Sequence, residues 1–99
     1  MAHKAISSKA EIDSAIATKG KNVLIYLHTG DLDPVADEWA GKYTNSTDFY
    51  KIAVDKSAEG KEYFNVTTTP TIAVFKNGSE VKKVEGGSIE NMEAIASVL

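Results

Sequence analysis

Apolar and polar positions along the chain change period in a regular order, and each change marks an element. Ala5-Ile6 reads as a short first strand. Ser8-Lys9-Ala10-Glu11 follows as a capping box, with Ser8 capping a helix and Glu11 reaching back. Ile12, Ala15 and Ile16 supply that helix's apolar stripe, and Gly20 is expected to end it after Lys19. Val23 to Leu27 is an unbroken apolar run rich in branched residues, as in a central strand covered on both faces. His28-Thr29-Gly30-Asp31-Leu32 reads as a loop, after which Asp33 as N-cap and Pro34 as first helical residue open a second helix. Val35, Trp39 and Tyr43, at i, i+4 and i+8, predict its buried face.

Phe49 to Val54 alternates as a third strand, with Tyr50, Ile52 and Val54 on one side and Phe49 and Ala53 on the other. A short helix is expected over Ala58 to Phe64, weakened by Gly60 and closed near Asn65. Thr71 to Phe75 and Val81 to Val84 flank Asn77-Gly78, the strongest short hairpin signal, and Lys82 and Lys83 suit an edge strand. Ser88 caps a last helix whose stripe is Ile89, Met92, Ile95, Ala96 and Leu99. The order β-α-β-α-β-α-β-β-α predicts an α/β fold, a central mixed β-sheet with helices on both faces, in one domain over residues 1–99.

Composition narrows function by exclusion. All 11 basic residues are Lys, against 14 acidic ones, for a net charge of -3. A chain without Arg or a basic excess is a poor fit to nucleic acid, so no nucleic-acid partner is expected. There is no cysteine, which removes disulfides, thiolate metal sites and all thiol chemistry. No apolar run reaches the length of a membrane span, and Met1-Ala2-His3-Lys4 lacks the apolar core of a signal peptide, so a cytoplasmic location without membrane association is expected. Three glycosylation sequons, at Asn45, Asn65 and Asn77, carry no weight without a secretory signal.

Candidate chemistry gathers after the central strand. His28, Asp31 and Asp33 fall at its C-terminal end, where open α/β sheets place ligands, and this spacing suits an oriented general base. Tyr26 adds a phenol if its side chain faces the same loop. The competing reading is structural: Asp33 caps a helix, Asp31 belongs to a turn, His28 finishes a strand and Tyr26 is core. One imidazole and two carboxylates in a loop do not define a closed metal site, so neither metal nor cofactor is expected.

The whole chain resembles the thioredoxin family. Ser8 to Asp13 resembles the family's first helix, Val23 to Leu27 its central strand, and Pro34 to Tyr43 the latter half of its second helix. Tyr63 to Thr71 is similar to the segment carrying its cis-proline, Phe75-Lys76-Asn77-Gly78 to its hairpin, and Val81, Val84, Gly86 and Met92 to its closing strand and helix. The resemblance implies a thioredoxin-like fold. It also exposes a departure, because the family's Trp-Cys-Gly-Pro-Cys segment has no counterpart. Only seven residues, Leu27 to Asp33, separate Tyr26 from Pro34, and Tyr26 stands where the family has a buried Asp. Two registers are open. One deletes the redox turn and the first turns of the second helix, truncating it at its N-terminal end; the other reads Leu32-Asp33-Pro34-Val35 as the replaced motif. The deletion is preferred because it keeps Pro34 to Tyr43 aligned without a further gap.

The resemblance further implies a cis bond before Pro70 that presents the Thr69 backbone to an extended peptide, a binding mode that needs no thiol. The expectation is therefore a redox-inactive binding module for a protein or extended peptide, using Thr69, Pro70, Thr29, Gly30 and Asp31. The alternative is a non-redox enzyme in the same cleft, using His28, Asp31, Asp33 and Tyr26. A monomer or weak homodimer is expected.

Overall fold

A computed structural model describes residues 3–30 and 34–99. Five strands form one sheet in the order β1-β3-β2-β4-β5, with β1 at Lys4–Ala5, β2 at Asn22–His28, β3 at Thr47–Ala53, β4 at Thr71–Lys76 and β5 at Ser79–Glu85. The first three are parallel, and β4 and β5 run antiparallel. The helices are α1 at Lys9–Ile16, α2 at Pro34–Lys42, α3 at Ala58–Tyr63 and α4 at Ile89–Ala96. Among the described residues no helix is long and apolar enough to cross a membrane.

Alternation along β2 splits the core in two. Val23, Ile25 and Leu27 pack with Ile12, Ile16, Ile52 and Phe64 under α1 and α3. Leu24 and Tyr26 pack with Trp39, Phe49, Met92 and Ile95 under α2 and α4. Both faces of the central strand are thus dry, as its unbroken apolar run requires. The capping box at Ser8 is present, with the Glu11 amide donating to Ser8 Oγ and Glu11 Oε1 accepting from the Ser8 amide. Amides of Ser7 and Ser8 hold the Glu11 carboxyl below its usual range. Asn77 and Gly78 both have positive φ, giving the two-residue hairpin turn.

Several expectations are corrected. The first strand is Lys4–Ala5 rather than Ala5-Ile6, and α1 stops at Ile16, with Gly20 in the following loop at φ +83°. The buried face of α2 is Ala36, Trp39 and Ala40, while Val35 is 36% exposed. In α4, Met92 and Ile95 are buried but Ile89, the helix's first residue, is 79% exposed. Gly60, expected only to weaken α3, lets that helix touch β3: a Cβ there would lie 2.5 Å from Ile52 Cγ2. Helix α2 covers Pro34–Lys42, and the expected Asp33 N-cap lies outside the described residues.

Candidate functional site

Parallel pairing brings the C-terminal ends of β2 and β3 together, with His28 opposite Ala53. Past His28 the chain turns through exposed Thr29 and Gly30, the latter at φ +68°, a conformation that favours glycine. The His28 Nδ1–H donates to the Gly30 carbonyl at 2.9 Å. Because a carbonyl only accepts, this bond sets the neutral tautomer and leaves Nε2 as acceptor.

The segment before β4 approaches the same turn. The Thr69–Pro70 bond is cis, and Thr69 Oγ1 lies 3.5 Å from Thr29 Oγ1, at the outer limit of a hydrogen bond. The loop is fixed from behind: Thr71 Oγ1 donates to the Thr68 carbonyl at 2.6 Å, and the Gly86 amide donates to the Pro70 carbonyl at 2.8 Å. Gly87 lies against the Pro70 ring, where a Cβ would stand 3.4 Å from Cγ. In front, Thr69 is exposed, and its backbone N–H and C=O make no hydrogen bond among the described residues. The structure therefore gathers Thr29, Gly30, Thr69 and Pro70 on one surface.

The other candidates separate. Tyr26 is 2% exposed and belongs to the core under α2, its ring 6.2 Å from that of His28, so its side chain does not open onto the surface. Asp31 and Asp33 lie outside the described residues. Among the described residues no three His, Cys, Asp or Glu side chains are grouped to hold a metal.

One residue of this region escaped the sequence pattern. His3 is 2% exposed, edge-on to Tyr26 and Phe49 at 6.0 and 5.3 Å, and neither ring nitrogen has a hydrogen-bond partner. Burial lowers its pKa to about 4; Asp37 opposes the shift, while Lys51 and His28 add to it. A lone His ahead of a two-residue strand has no periodicity to reveal it.

The same architecture recurs in known proteins. The thioredoxin family model matches residues 4–99. The chain belongs to the thioredoxin family. It is 39% identical over 66 residues to thioredoxin of Staphylococcus haemolyticus, a match covering 67% of this chain and 62% of that protein. The chain thus spans less than two thirds of the staphylococcal relative's length. It is 33% identical to thioredoxin-1 of Saccharomyces cerevisiae, across 80% of this chain and 81% of the yeast protein. Among solved structures, a cysteine-to-serine mutant of Entamoeba histolytica thioredoxin superposes with a TM-score of 0.84 at 23% identity, covering 99% of this chain and all of that one. Oxidised thioredoxin from Plasmodium falciparum gives 0.79 at 27% identity, covering 97% and 96%. The sequence holds no cysteine, and so no thiol for thiol–disulfide exchange.

Proposed function

We propose that this thioredoxin-family protein is a docking module that binds a protein or extended peptide across Thr69-Pro70 and the Thr29-Gly30 turn. The observation that carries the reading is the unpaired, exposed backbone of Thr69 beside that turn. An extended segment laid along it gains main-chain hydrogen bonds in the manner of an added strand. No step in such binding uses a thiol, so loss of the redox residues leaves it intact. The test is quantitative capture from a native cell extract with the wild-type protein and Thr69→Arg, whose folding is checked by Trp39 fluorescence. A partner retained by the first and lost by the second supports docking at this surface; partners captured equally by both count against it.

A second reading rests on His28. Its Nδ1–H bond to Gly30 holds the ring with Nε2 as acceptor, the arrangement of a positioned general base. Under that reading His28→Ala abolishes an activity found by substrate screening, and an undiminished rate removes it.

A further inference from the structure

A crevice separate from the Thr69 surface opens where the parallel strands end. Its position follows from topology: the chain leaves β2 for α2 under one face of the sheet, and leaves β1 and β3 for α1 and α3 under the other. The gap lies between the connections that follow β1, at Ile6 and Ser7, and β3, at Lys56 and Ser57, with His28 ending β2 beside it, outside the carboxyl ends of the strands where open α/β sheets hold ligands. The gap encloses about 310 Å³, at the small end of ligand sites.

Its walls have a definite chemistry. Ala5 and Ala53 present methyl groups, and Lys51, Lys56 and His28 stand around them. No acidic residue is among the described residues that line it, in a chain whose net charge is -3. Neither lysine ammonium takes part in an ion pair among the described residues, where Lys21–Asp48 is the pair formed. Ser57, at the edge, has its hydroxyl engaged with the Ser7 carbonyl and the Gly60 amide, so binding charge comes from the lysines. Two unpaired ammonium groups over an apolar floor suit a ligand with a negative head and a hydrocarbon body.

We propose that this crevice binds a small organic anion, a compact apolar body bearing a phosphate or carboxylate, with Lys51 and Lys56 holding the head and Ala5 and Ala53 against the body. The site is independent of peptide docking, and its test uses no peptide. Amide chemical shifts of the ¹⁵N-labelled protein are followed during titration with phenyl phosphate, with phenol and with inorganic phosphate. Saturable shifts at Ala5, Ala53 and His28 are expected with phenyl phosphate, with binding weakened about tenfold in Lys51→Gln and in Lys56→Gln. Lys56 is exposed, so its substitution reads the charge even if Lys51→Gln perturbs the strand. Non-saturating shifts, an equal response to phenol or inorganic phosphate, or unchanged binding in Lys56→Gln overturns the assignment.

Discussion

Thr29 and Thr69, 40 positions apart in the chain, meet with their hydroxyl oxygens 3.5 Å apart. The contact joins the turn after the central strand to the loop before β4, and so places two exposed backbones side by side. Its weakness is itself informative, since a contact at this distance contributes little to folding. Thr29→Val is expected to change stability by less than about 0.5 kcal/mol in urea unfolding, as for a surface substitution. A larger loss would mean that the contact holds the two segments together.

Acid is expected to act through His3. Its folded value of about 4 lies below the ordinary 6.5, so the unfolded chain takes up the proton first. Stability from this group is therefore full above about pH 6.5, falls as pH drops toward 4, and levels off below. The loss is about 3 kcal/mol. His3→Phe keeps an aromatic edge between Tyr26 and Phe49 and removes the titration. Urea unfolding of both proteins at about pH 7.5 and about pH 4 checks this: the wild type loses more than the variant, and equal losses would exclude His3.

At Gly60 the constraint is contact rather than conformation. Gly60→Ala forces a methyl to within 2.5 Å of Ile52 Cγ2 and 3.1 Å of Ser57 Oγ, so either α3 or the Ile52 side chain must move. Destabilisation of about 1–3 kcal/mol is expected from such overpacking. If helix propensity governed the site instead, alanine would raise the melting temperature.

The N-terminal cap gives a smaller effect. Ser8→Ala removes the acceptor for the Glu11 amide and leaves Glu11 with the Ser7 and Ser8 amides only. A loss of about 1 kcal/mol in chemical denaturation is expected. No change would show that water substitutes fully for the hydroxyl.

These cases show where sequence suffices. Caps at Ser8 and Ser88 and the turn at Asn77-Gly78 are local chemistry, and the structure forms all three. The central strand is legible because a strand buried on both sides needs an unbroken apolar run. Helix phase is less legible: Val35, Trp39 and Tyr43 fit the period, yet the small residues Ala36 and Ala40 face the sheet, where they allow close approach. Ile89 fits a stripe by spacing yet is exposed as the helix's first residue. His3 and Gly60 depend on partners in other elements, Tyr26 and Phe49 for one and Ile52 for the other, which the periodicity of their own segments does not encode. Of the candidate site, Thr29, Gly30, Thr69 and Pro70 come together, while Tyr26 is drawn into the core by the alternation of β2.

Docking at Thr69 requires no thiol. Its most direct measurement is the affinity of a short extended peptide, taken from a captured partner, for the wild type and for Thr69→Arg by fluorescence polarisation. At least about a tenfold weaker affinity is expected in the variant, with Trp39 fluorescence unchanged. Equal affinity for the two proteins would contradict it.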